Sequence, residues 1–149
     1  MTGEQQRRVL VVEDNPSVRQ LLVVALRQRS LLVDEARDGR EAIDLLREHT
    51  YAVVLLDMIL PQVDGFGVLD AIDVSTAVVP VVLVVSGADR GILDQLDARR
   101  IHGIVRKPFD ATEVANVVAA CAEIRGKSAL ETMALTVITT APLFALLKL

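Results

Sequence analysis

The sequence predicts an α/β domain: one open parallel sheet with helices on both faces. Three observations predict it. Short apolar runs recur along the chain, the clearest at residues 52–56, and an unbroken run reads as a strand buried on both faces. Between the runs, apolar residues recur at three- and four-residue spacing, as on amphipathic helices. Strand and helix signals alternate five times, which calls for right-handed crossovers between parallel strands.

The first strand spans residues 8–12, with Val9-Leu10-Val11-Val12 wholly apolar. A helix follows, with Asn15 as N-cap and Pro16 at the first helical position, where its missing N–H is harmless. Its inward face is Val18, Leu21, Leu22, Ala25 and Leu26. Leu31-Leu32-Val33 then gives way to Asp34 and Glu35, which reads as an edge strand protected by charge. Asp38 and Glu41 form a capping-box-like pair opening the second helix, whose face is Ala42, Leu45, Leu46 and His49. The third strand, 52–56, ends at Asp57. A turn through Pro61 and Gly65 leads to a third helix carrying Phe66, Leu69 and Ile72. The fourth strand is 78–85, ending at Ser86-Gly87, and the fourth helix, 90–100, buries Ile92, Leu93 and Leu96. A short fifth strand, 101–106, is closed by Lys107-Pro108. Asp110 and Glu113 cap the fifth helix, whose face is Val114, Val117, Val118 and Cys121, and Gly126 stops it. One domain thus fills residues 8–126, between a short N-terminal tail (1–7) and an apolar extension (127–149).

Bulk properties narrow the function. The 149 residues suffice for one domain with a substantial core. A net charge of -4 and a pI near 5.1 argue against a nucleic-acid surface, which needs clustered Lys and Arg. The single cysteine, Cys121, excludes an internal disulfide, suits a reducing cytosol, and falls on an apolar helix face as core. The N-terminus lacks a secretory signal, so a cytoplasmic location is expected. At 3% aromatic residues, base-stacking and carbohydrate platforms are not expected. His49 and His102 match no metal spacing and read as surface or packing residues.

The polar residues that interrupt the pattern sit at strand C-termini: Glu13-Asp14, Asp57, Ser86 and Lys107. In open α/β sheets ligands gather there. Asp57 alone reads equally well as a turn residue before Pro and Gly; the other strand ends decide. Three carboxylates together repel unless a cation offsets them, and a hard divalent ion such as Mg²⁺ suits oxygen donors. A carboxylate beside a metal and a lysine can attack a phosphoryl group, because both cations neutralise the transferring oxygens.

With these residues in view, the chain resembles a receiver domain of the bacterial two-component response regulators, of the stand-alone, chemotaxis-regulator-like kind. The matching elements are Glu13-Asp14, Asp57, the Met58-Ile59-Leu60-Pro61…Asp64-Gly65 loop, Ser86-Gly87 and Lys107-Pro108-Phe109. The resemblance implies a flavodoxin-like (βα)5 fold with strand order 2-1-3-4-5. It implies Asp57 as phospho-acceptor, and Mg²⁺ held by Asp14, Asp57 and the Ile59 backbone carbonyl, with Glu13 acting through a metal-bound water. Lys107 would contact the phosphoryl group, the peptide before Pro108 would be cis, and Ser86 would carry the switch. The implied partners are a sensor histidine kinase or histidine phosphotransfer protein and a downstream protein target. The chemistry is self-catalysed phosphotransfer and autodephosphorylation, not ordinary turnover.

Two departures stand out. Many receivers carry an aromatic residue where this chain has Ile104, so a subdued conformational change is expected. Ile59 and Ala88 are apolar where the family places a hydrolytic water, so slow self-dephosphorylation is expected. The uncharged run 132–147 is shorter than the ~20 residues a spanning helix needs, and Pro142 interrupts it. Packing or self-association of the tail is favoured over stable membrane insertion. No recognisable output domain follows, so transcriptional control by this chain itself is not expected. Three rivals are weaker. An aspartyl-phosphate hydrolase would place an acid/base Asp where Ile59 stands. A flavin module would need a phosphate loop where Glu13-Asp14 repel phosphate. A receiver-like interaction module untouched by phosphorylation leaves the acidic set unexplained.

Overall fold

The computed structural model describes residues 7–75, 79–87 and 90–125. Five parallel strands, β1 (Arg8–Val12), β2 (Leu32–Ala36), β3 (Val53–Leu56), β4 (Val81–Ser86) and β5 (Gly103–Arg106), form one sheet in the order β2-β1-β3-β4-β5. They alternate with α1 (Pro16–Arg27), α2 (Gly39–Glu48), α3 (Gly65–Ser75), α4 (Arg90–Asp94) and α5 (Ala111–Arg125). This is the flavodoxin-like arrangement that the resemblance implied.

Both faces of the sheet are buried, which is why the strands read as continuous apolar runs. Val9, Val11, Val53, Leu55, Leu83, Val85 and Val105 pack with Leu22 and Leu26 of α1 and Val114 and Val118 of α5. Leu10, Val12, Val54, Leu56, Val82, Val84 and Ile104 face the other way, against Ala42, Leu46, Val68, Leu69 and Ile72. Cys121 lies in the first of these cores, and burial pushes its thiol up to about 11. Among the described residues no helix is long and apolar enough to cross a membrane.

Several expected boundaries move. β2 runs on through Asp34 and Glu35 to Ala36. Asp34 is accommodated because Arg8 Nη1 and the Tyr51 hydroxyl both donate to its Oδ2, at 2.9 and 2.7 Å. Burial pushes the Asp34 carboxyl up, but these two contacts outweigh it and hold the group below its ordinary value. On α1, Leu21 is 53% exposed and Val23 is buried in its place, because the stripe facing the sheet is centred on Leu22 and Leu26. Asp38 caps α2 through the Glu41 N–H, but Glu41 reaches back to the Arg37 N–H and not to Asp38, so the box is half closed. Val68, absent from the expected face, is fully buried on α3.

The largest difference is α4, which stops at Asp94 and buries none of its residues fully. The next N–H groups, of Gln95 and Leu96, bond three residues back to Ile92 and Leu93, tightening the chain into turns. The Asp97 side chain then accepts from the Arg99 N–H, offering the backbone an alternative to helix. β4 begins at Val81, after Val79 and Pro80, and β5 at Gly103; Val78, expected at the start of the fourth strand, lies outside the described residues. So do Ala88, the Gly126 stop, residues 1–6 and the extension 127–149.

Candidate functional site

Strand register assembles the site. Val12 pairs with Leu56 and Leu56 with Val84, while Ser86 pairs with Arg106. The residues that follow, Glu13, Asp57 and Lys107, therefore leave the sheet along one edge beside Ser86. The ladder continues one step past the strands, since the Glu13 N–H donates to Ala36 O and the Asp57 N–H to Val12 O, each at 3.0 Å.

Asp57 is 5% exposed. Its Oδ1 accepts from the Ile59 N–H at 3.0 Å and its Oδ2 from Lys107 Nζ at 3.0 Å. Glu13 is more deeply buried, at 1%; its Oε1 accepts from the Asn15 N–H at 3.1 Å. Its Oε2 lies 2.7 Å from Lys107 Nζ, an ion-pair distance without hydrogen-bond alignment. Asp14 is exposed, yet one carboxylate oxygen each from Glu13, Asp14 and Asp57 lie within 4.8 Å of one another.

Ser86 is buried at the end of β4, where its carbonyl accepts the Lys107 N–H at 3.1 Å. The Lys107–Pro108 peptide is cis. Gly65 opens α3 and donates its N–H to Met58 O at 3.0 Å. A Cβ there would stand 2.6 Å from Met58 Cα, so only glycine fits this approach. Ile59 presents its side chain to solvent, and Ile104 is buried among the residues facing α2 and α3. His102 stands apart from the acids: its Nδ1 accepts the Val82 N–H at 3.0 Å, extending the β4–β5 pairing. His49 caps α2 and meets the Tyr51 ring edge-on.

The electrostatics follow from this packing. Burial pushes the Glu13 carboxyl above its ordinary value; the Lys107 contact opposes this and the Asp57 charge adds to it. For Lys107, burial works against the charged form, but Glu13 and Asp57 outweigh it and hold the ammonium above its ordinary value. The ammonium of Lys107 meets two of the three clustered carboxylates and leaves Asp14 without its contact, so the acids of the cluster outnumber its ammonium. The donor set is all oxygen, convergent and partly open to solvent through Asp14, which fits a hard divalent cation that keeps several waters.

Sequence reasoning missed two supports of this loop. The Asn15 backbone N–H holds Glu13, and Arg19 reaches back from α1 to the Glu13 and Asp14 carbonyls. The available signal was a cation in the first turns of a helix that has no acidic residue there, where the helix dipole disfavours it.

The family model described as "Response regulator receiver domain" matches residues 9–119. The chain is 32% identical over 106 residues to the transcriptional regulatory protein SrrA of Staphylococcus aureus, covering 71% of this chain. The match spans 44% of that relative's length, less than half of it. Among solved structures, the signal receiver domain of the response regulator NarL from Mycobacterium tuberculosis is 32% identical with a TM-score of 0.66, covering 78% of this chain and 95% of that one. The response regulator TrrA from Thermotoga maritima, solved in complex with Mg²⁺ and BeF, is 25% identical with a TM-score of 0.67, covering 77% and 98%.

Proposed function

Because this chain belongs to the response regulator receiver domain family of two-component systems, we propose that it takes a phosphoryl group from a phosphohistidine onto Asp57. The observation that carries this reading is the setting of Asp57: a buried carboxylate 3.0 Å from the Lys107 ammonium, with two further acids within reach of one shared ion. An Asp57 oxygen attacks phosphorus, the P–N bond to the donor histidine breaks, and the imidazole leaves with its electron pair. Lys107 neutralises a phosphoryl oxygen during transfer and holds it afterwards. The Ser86 hydroxyl turns to a second oxygen and carries the switch. Asp14, Asp57 and the Ile59 carbonyl would hold Mg²⁺, with Glu13 acting through a metal-bound water. When bound, the ion neutralises the acids and the phosphoryl oxygens. TrrA, crystallised with Mg²⁺ and BeF, supports the same assignment here.

The receiver unit is residues 8–126, flanked by 1–7 and 127–149. It works in the cytoplasm, with a sensor kinase or phosphotransfer protein as donor and a protein target for its output. It is a signalling module that catalyses its own phosphorylation and slow dephosphorylation. Incubation with acetyl phosphate and Mg²⁺, followed by intact mass, tests the reading. The wild-type chain gains one phosphoryl group and Asp57→Ala gains none; equal labelling of both, or of neither, refutes the assignment.

A further inference from the structure

Arg19 is the one basic side chain that grips the backbone of the acidic loop among the described residues. Its Nη1 donates to Glu13 O at 2.9 Å and to Asp14 O at 3.4 Å, while its Nε lies 3.4 Å from Glu35 Oε1 at the end of β2. Only 19% of the side chain is exposed. The N-terminal end of the α1 dipole disfavours a cation, the Glu35 carboxylate offsets this, and the guanidinium charge opposes any ion held by Glu13, Asp14 and Asp57. Its contacts are geometric: the β1 ladder ends at the Glu13 N–H, and Arg19 supplies donors to the two carbonyls as the chain turns into α1.

From this conflict between charge and geometry we infer that Arg19 is a positioning residue. It locks the peptides of Glu13 and Asp14 and thereby sets the affinity of the acidic cluster for a divalent ion. The inference rests on the receiver reading above. A planar fork that bridges two carbonyls on one side and a carboxylate on the other is something guanidinium does and ammonium cannot. Partners that orient metal-holding groups typically contribute ten- to a hundred-fold in affinity.

The opposing charge makes the test one of sign. Mn²⁺ binding, followed by electron paramagnetic resonance of the free ion, and Mg²⁺ binding by competition are measured on the wild type, Arg19→Gln and Arg19→Lys. Thermal unfolding reports that each is folded. Positioning predicts that both variants bind about tenfold more weakly. A role through charge alone predicts that Arg19→Gln binds more tightly and Arg19→Lys as wild type; that pattern, or unchanged affinity in both, overturns the inference. Should Arg19→Gln fail to fold, Arg19→Lys decides alone, since it keeps the charge and the helix propensity but loses the fork: weaker binding supports the inference and wild-type binding overturns it. Wild-type protein that takes up neither ion overturns the receiver reading itself, a result distinct from any pattern among the variants.

Discussion

Replacing Lys107 by Met removes the one ammonium from between two buried acids while keeping most of the side chain's volume. Its Nζ stands 2.7 Å from Glu13 Oε2 and 3.0 Å from Asp57 Oδ2, and those residues are only 1% and 5% exposed. Stripping the partner from a fully buried pair costs about 3–5 kcal/mol. The Lys107 side chain is 25% exposed, so solvent screens part of the attraction and a loss of ~2 kcal/mol is expected. For a domain of this size that corresponds to a fall in Tm of roughly 6–10 °C. Far-UV circular dichroism in a chelator is the assay, the chain having no Trp. The deficit should shrink as pH falls toward 4.5, the ordinary Glu value. Lys107 opposes the rise of the Glu13 carboxyl, so its loss raises that group further in the folded variant; a carboxyl so raised binds protons there before it does in the unfolded chain, and acidification favours the variant's fold more than the wild type's. Mg²⁺ should narrow the gap as well, because the variant lacks the competing ammonium and binds the ion more tightly; at one saturating concentration the gap closes by about 1.4 kcal/mol for each tenfold difference in Kd. Equal midpoints for wild type and variant in chelator near neutral pH would refute the placement of Lys107 between the two acids.

Asp34→Asn should cost about 1–2 kcal/mol, since two donors lose a charged acceptor. The wild-type advantage should be full above pH 3.8 and vanish as pH falls through the lower folded value, measurable by urea unfolding across acid pH. Ile104 packs in the core that faces α2 and α3, without the aromatic residue many receivers use, so NMR shifts along residues 92–121 on adding an acyl-phosphate mimic should be smaller than those at Asp57; shifts as large would contradict this. Ile59, 55% exposed and apolar beside the acceptor, offers no polar group to place a hydrolytic water. Loss of labelled phosphate from the purified protein should therefore be slow, and Ile59→Asn should hasten it.

The sheet was legible because burial on both faces imposes continuous apolar runs, and those runs can be read locally. The strand expected at residues 8–12 became β1 residue for residue, and Asn15 and Asp110 cap their helices as their side chains require. Three of the polar strand ends were legible for the same reason: Glu13, Asp57 and Ser86 each close an unbroken apolar run, whereas Lys107 follows Arg106 and stood out by its place before Pro108. Helix α4 was not. Its apolar spacing at Ile92, Leu93 and Leu96 is equally served by turns, and Asp97 settles the matter through a contact within its own loop.

Local pattern places a residue on an element; it does not say which distant atoms that element meets. Which acid Lys107 touches, and at what distance, depends on the register of β1, β3 and β5 across a sheet whose order departs from chain order. Arg19 is of the same kind. Its spacing from Glu13 and Asp14 reads as an ordinary helix residue, and only the folded turn between β1 and α1 brings its guanidinium onto their carbonyls. The one-dimensional chain carries periodicity and the residue types at strand ends, whereas the pairing of charges is a property of three-dimensional proximity.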